Sequence, residues 1–229
     1  MNKEIFFKNY KDSGKVYYVP GYLSGEDNQE EAVQRLEEFF ECDKHPWHNP
    51  DIDVLKWDSF TSYAKALHNS YDAAEELIRW LKDEVTAPIT LVGHSLGALV
   101  ILNAMRKIPR KAYYAPIQVI FIGAAIDSRA DLSYMCSVTE YPVVNVVNPN
   151  DVVLSTVYRT CTDSYALGQV GSKRRNRNYV ELELLPKYPK GVAGSLLGEV
   201  ANQLLDITGH SASRVYLEGL IKRKYKIRG

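Results

Sequence analysis

The sequence predicts an α/β fold: a mostly parallel central sheet of about six strands, with helices on both faces. Three observations carry this. Short β-branched, apolar runs alternate with longer segments of helical periodicity. Two of the runs, Val119-Ile120-Phe121-Ile122 and Val143-Val144-Asn145-Val146-Val147, are apolar almost throughout, as strands buried on both faces must be. Finally, Gly93-His94-Ser95-Leu96-Gly97 joins a β-branched run to an apolar helical one, with small residues at the bend.

The first strand is Val16-Tyr17-Tyr18-Val19, ended by Pro20-Gly21. Residues 29–40 place Ala32/Val33, Leu36 and Phe39/Phe40 on one helical face. Residues 52–57 form the second strand. Ser70 is a candidate cap for a helix running through Leu77, Ile78 and Leu81 to about Glu84. The third strand, residues 89–92, leads through the 93–97 turn into a helix over 98–105 that stops before Pro109. Residues 119–122 and 143–147 are the fourth and fifth strands. The sixth, 179–184, has an alternating pattern, and a last helix covers 211–222. Residues 192–205 carry Leu196/Leu197, Val200 and Leu204 at helical spacing and read as either an amphipathic lid or a packed insertion.

Composition narrows the function classes. A chain of 229 residues fits one α/β domain, here taken as residues 1–229, and can bury a sizeable core. Lys+Arg and Asp+Glu both total 28, so no net field draws the chain to nucleic acid. No apolar run reaches the roughly 20 residues of a membrane span, and residues 1–8 lack the apolar core of a secretory signal, so cytoplasmic residence is the expectation. Cys42, Cys136 and Cys161 are scattered and form no metal-ligand spacing. Asp43, His45, His48, Asp51 and Asp53 lie close in sequence, but Pro46 and Pro50 break their spacing; no metal and no cofactor is expected. Lys173-Arg174-Arg175-Asn176-Arg177 reads as a solvated basic loop.

The chemistry rests on the 93–97 turn, which matches G-x-S-x-G. In that geometry the serine is held in a strained backbone conformation, and the N-terminus of the following helix points at the reaction centre. Serine is a weak nucleophile unless a base takes its proton and a third group orients the base. Of the five histidines, His45, His48 and His68 precede Ser95, whereas the order on this scaffold is serine, acid, histidine. His94 is adjacent to Ser95, and its ring does not turn back onto the hydroxyl. His210, in Thr208-Gly209-His210-Ser211, is the one downstream histidine. For the acid, Asp151 ends the turn after the 143–147 strand; Asp127, after the preceding strand, is its rival. Two N–H donors are needed for a developing oxyanion: Leu96, directly after the serine, and Tyr22, in the Pro20-Gly21-Tyr22-Leu23 loop. Gly21 permits close backbone approach there, and Gly21 and Leu23 are the candidate substrate-binding residues.

With these pieces placed, the chain resembles the α/β-hydrolase superfamily. More closely, it is similar to the hydrolase-like domain of the transmembrane-and-coiled-coil-domain protein family. The similar stretches are residues 18–25, 90–97 and 145–154, with Gly209-His210-Ser211 near the end. The chain departs from that family in having no membrane-spanning segment and no coiled coil. The resemblance carries the family's triad onto Ser95, Asp151 and His210. It implies a serine hydrolase of carboxylic esters, esterase- or lipase-like, working through an acyl-enzyme on a small-molecule or lipid ester. A non-catalytic binding module on the same fold, an acyltransferase and a thioesterase are the alternatives.

Overall fold

In the computed structural model, which describes residues 14–41, 51–84, 88–174, 176–185, 210–222 and 225–228, seven strands make one sheet. In chain order the elements are β1 (Lys15–Val19), α1 (Glu26–Glu41), β2 (Asp51–Val54), α2 (Tyr63–Asp83), β3 (Ile89–His94) and α3 (Leu96–Met105). There follow β4 (Gln118–Ile122), α4 (Ser133–Val138), β5 (Val143–Val147), and a π-helical turn (Leu154–Tyr158) running into α5 (Arg159–Thr162). The chain ends with α6 (Leu167–Val170), β6 (Tyr179–Leu184), a second π-helical turn (Ala212–Leu217) running into α7 (Glu218–Ile221), and β7 (Tyr225–Arg228).

Strand order is β2-β1-β3-β4-β5-β6-β7, parallel throughout except for β7. Side chains alternate between the two faces, as strand geometry requires. Tyr17, Val19, Ile89, Leu91, Val119 and Phe121 point to the face covered by α2 and α3, where Ala73, Leu77, Ile101 and Met105 meet them. Val16, Tyr18, Val92, Ile120, Ile122, Val144 and Val146 point to the other, packing against Leu36 and Phe40 of α1 and Tyr216, Leu217 and Leu220 of the C-terminal helical segment. Each such side chain, taken fully from water, contributes roughly 1.5–3 kcal/mol. The chain leaves β1 for β2 on one side and returns to β3 on the other, so the strand order switches between β1 and β3, whose C-terminal ends are the usual place for a ligand in such sheets.

The structure shows the predicted fold class and departs from the reading in several places, the strand predicted over 52–57 ending at Val54 among them. The helix predicted to start at Ser70 begins at Tyr63, capped by Ser62, whose side chain accepts from the Lys65 N–H at 3.4 Å. Ser70 lies inside α2 on its buried stripe with Ala66, Ala73, Ala74 and Leu77, and its hydroxyl donates to the Leu67 carbonyl at 2.7 Å. A small residue was wanted there for packing. The seventh strand, Tyr-Lys-Ile-Arg, is too short and too basic to read as apolar alternation; it pairs antiparallel with β6, setting Arg228 and Lys226 against Glu183 at 2.5 and 2.8 Å. The predicted last helix is wound as a π-helical turn over its first half.

Residues 192–205, Asp43, His45 and His48 lie outside the described residues. Asp51 and Asp53 both pair with Lys15, and no group of three His, Cys, Asp or Glu able to hold a metal ion occurs among the described residues. No described helix is long and apolar enough to cross a membrane.

Candidate active site

Ser95 stands between β3 and α3 with φ 51° and ψ −120°, a conformation that costs a non-glycine residue energy. Its backbone is pinned on both sides. The Ser95 N–H donates to the Ile122 carbonyl at 3.1 Å, and its carbonyl accepts from Ala98 at 3.2 Å and Ala125 at 3.0 Å. The surroundings leave no room for side chains. A Cβ on Gly97 would lie 2.1 Å from the Val19 carbonyl oxygen, so α3 starts directly against the end of β1. A Cβ on Gly21 would lie 2.7 Å from the Ser95 Cβ, so the loop after β1 touches the serine itself.

The predicted site residues come together from distant parts of the chain. His210 Nε2 is 2.8 Å from Ser95 Oγ, and His210 Nδ1 is 2.6 Å from Asp151 Oδ2. In the tautomer these contacts call for, Nδ1–H donates to the carboxylate and Nε2 accepts the serine O–H. Asp151 is fully buried. Its Oδ1 accepts the Leu154 N–H at 2.9 Å, and its Oδ2 also accepts the Tyr216 hydroxyl at 2.7 Å. The rival carboxylate is engaged elsewhere: Asp127 accepts from the Arg129 amide and guanidinium, each at 2.8 Å, and the guanidinium holds its carboxyl below the usual range.

Leu96 is the first residue of α3, where helix N–H groups have no partner within the helix. Tyr22 follows Gly21; its hydroxyl donates to the Thr61 carbonyl at 2.8 Å and its ring stands edge-on to Tyr63 at 5.6 Å. Leu23 has φ 55° and an exposed side chain. Tyr63 packs against a small cluster of Ala125, Leu154, Tyr158 and Ala166, and its buried hydroxyl has no hydrogen-bond partner among the described residues. Burial raises its phenol pKa, so it remains an O–H donor.

Sequence reasoning missed two residues that brace the constellation. His94, kept off the hydroxyl as expected, donates Nε2–H to the His210 carbonyl at 2.9 Å. Burial pushes its pKa down to about 3, aided by the neighbouring His210 ring and partly opposed by that carbonyl bond, so it is a neutral strut. Tyr216, from the turn six residues beyond His210, donates to the carboxylate. Adjacency to Ser95 was the one available signal for His94. For Tyr216, one of 16 tyrosines, there was none.

A family model described as a protein of unknown function (DUF726) matches residues 59–181, more than half of the chain, including Ser95 and Asp151. Among curated proteins nothing matches. The solved structure of a candidate cell surface hydrolase from Lactobacillus plantarum is similar over 94% of this chain and 98% of its own, with TM-score 0.50 and 12% identity. A cutinase-like protein from Cryptococcus sp. is similar over 91% of this chain and 95% of its own, with TM-score 0.45 and 13% identity. At such identity the Lactobacillus likeness is one of fold alone: a mostly parallel central sheet with helices on both faces.

Proposed function

The chain belongs to the DUF726 family, and we propose that it is a serine hydrolase of carboxylic esters, with residues 1–229 as one hydrolase domain. The observation that carries this is the unbroken relay from a strained serine through one imidazole to a buried carboxylate: Ser95 Oγ to His210 at 2.8 Å, His210 to Asp151 at 2.6 Å. In this reading His210 Nε2 takes the Ser95 proton as Oγ attacks the acyl carbonyl. The tetrahedral oxyanion is held by the Leu96 and Tyr22 N–H groups. His210 then returns the proton to the leaving alcohol, which departs and leaves an acyl-Ser95. Water, activated by the same imidazole, releases the acid and restores the serine. Asp151 fixes the His210 tautomer and stabilises the imidazolium formed at each attack.

The substrate is a small-molecule or lipid ester. Leu23 and Phe60, on the loops after β1 and β2, and Val157, in the π-helical turn after β5, are exposed apolar side chains following the C-terminal ends of parallel strands, as Ser95 does, and they suit an apolar acyl chain. The similarity of residues 18–25, 90–97 and 145–154 to the hydrolase-like domain of the transmembrane-and-coiled-coil-domain family supports the same chemistry. A fluorophosphonate probe should label the folded protein stoichiometrically, and Ser95→Ala should abolish labelling. Hydrolysis across p-nitrophenyl esters should favour longer acyl chains. A folded protein that neither reacts with the probe nor turns over any ester would overturn the proposal.

A further inference from the structure

The acid of the relay is shared. We infer that Tyr216 is a positioning residue that holds Asp151 for His210 and draws off part of its charge; this rests on the triad reading above. Asp151 Oδ2 accepts the Tyr216 hydroxyl at 2.7 Å and the His210 Nδ1–H at 2.6 Å, so one oxygen serves both groups. Tyr216 is wholly buried in the core between the sheet and the C-terminal segment, and burial with the adjacent carboxylate keeps its phenol protonated. Its hydroxyl is a fixed neutral donor.

Two features of the backbone put it there. The segment after His210 is wound as a π-helical turn over Ala212–Leu217, in which the Tyr216 N–H reaches the Ser211 carbonyl five residues back at 3.3 Å. Opposite, Gly123 has φ 55°, and a Cβ there would lie 2.8 Å from the Tyr216 hydroxyl. The end of β4 is therefore shaped around this phenol. With the Leu154 N–H on Oδ1, the buried carboxylate has three donors, and its orientation no longer depends on the histidine it orients.

The consequence is electrostatic as well as geometric. A hydrogen bond to a carboxylate spreads its charge, so the Asp151 carboxylate favours imidazolium less strongly than a bare one would. Removing the phenol O–H restores that charge to His210 Nδ1–H and makes the imidazole more basic. Among the described residues, the other polar groups facing His210 are Ser95 Oγ on Nε2 and the neutral His94 on its carbonyl, and neither changes.

The test compares the wild-type protein with Tyr216→Phe, which keeps the ring. The His210 imidazole is titrated by nitrogen-15 NMR, and the rate of fluorophosphonate labelling is followed against pH. The His210 midpoint should rise by about one pH unit, the acid limb of the labelling profile should move with it, and the maximal rate should fall roughly 3- to 10-fold. A site-specific 3-fluorotyrosine at position 216, a stronger donor of nearly the same shape, should shift the midpoint the opposite way. It keeps the test decisive should the phenylalanine variant fail to fold. A midpoint unmoved by either change overturns the inference even where the wild type labels. A shifted midpoint in a protein that never labels upholds the Tyr216 contact and overturns the hydrolase reading instead.

Discussion

His94 ties the stability of the fold to pH in a way that can be worked out from its burial. Folded, its imidazole binds a proton only near pH 3; unfolded, it does so at its ordinary 6.5. Between these values the unfolded chain holds the extra proton, so stability rises with pH across that window and is complete above about 6.5. At 1.36 kcal/mol per unit, the full window amounts to about 5 kcal/mol, and the step from pH 7 to pH 5 to about 2 kcal/mol. His94→Gln removes the titration while keeping an amide able to donate to the His210 carbonyl. Urea unfolding of both proteins at pH 7 and pH 5, followed by tryptophan fluorescence, gives the slope directly. Asp127 and Glu183, whose carboxyls are held low by Arg129 and by Lys226 with Arg228, lose their contribution as the pH falls through their folded values, but equally in both proteins. The wild type should therefore lose about 2 kcal/mol more than His94→Gln over this step. Two unfolding curves that fall in parallel would refute the reasoning and mean that His94 protonates in the folded state.

Three further outcomes follow from the site. Asp151→Asn should lower kcat/KM toward p-nitrophenyl esters by ~10³–10⁴-fold, because the amide favours the wrong imidazole tautomer, whereas Asp127→Asn should stay within ~3-fold; equal losses would return Asp127 to contention. Gly97→Ala drives a methyl to 2.1 Å from the Val19 carbonyl and should cost ~3 kcal/mol or more in urea unfolding, and a smaller loss would show that α3 can slide off β1. Ser95→Gly should be more stable than Ser95→Ala by ~1 kcal/mol, since both lack the hydroxyl and glycine alone is at ease at φ 51°; the reverse order would mean that the elbow relaxes.

What the sequence could disclose divides along physical lines. β5 and β6 were legible to the residue, 143–147 and 179–184: β5 as a β-branched run buried on both faces, β6 by the alternation of its polar and apolar side chains. β7 was not, since an edge strand is held by pairing and cross-strand charge, and neither leaves a pattern in four residues. Ser70 misled because serine favours caps as an isolated preference, while the packing stripe of α2 wanted a small residue at that position. In the site, Ser95, His210 and Asp151 could be found by chain order, which follows from strand order. Tyr216 and His94 could not. Their roles depend on a π-helical winding and on a carbonyl supplied from 116 residues away, and no local pattern encodes either.

Strand spacing explains why His210 pairs with Asp151 and not with Asp127. Ser95 follows β3, Asp127 follows the adjacent β4, and Asp151 follows β5, one strand further. Neighbouring strands lie about 4.8 Å apart, so the carboxylate after β5 is roughly 10 Å across the sheet from the serine. That gap is filled by two hydrogen bonds, of 2.8 and 2.6 Å, and the imidazole between them. A carboxylate one strand away would have to project beyond its own strand end to admit the ring, and Asp127 instead folds back onto Arg129. The β5 position carries a cost, because it buries the carboxylate completely. Three donors, from Leu154, His210 and Tyr216, offset that cost, and two of them come from the segment that returns after β6. The sheet sets the distance, and the returning segment supplies both the base and the brace that make so deep a carboxylate tenable.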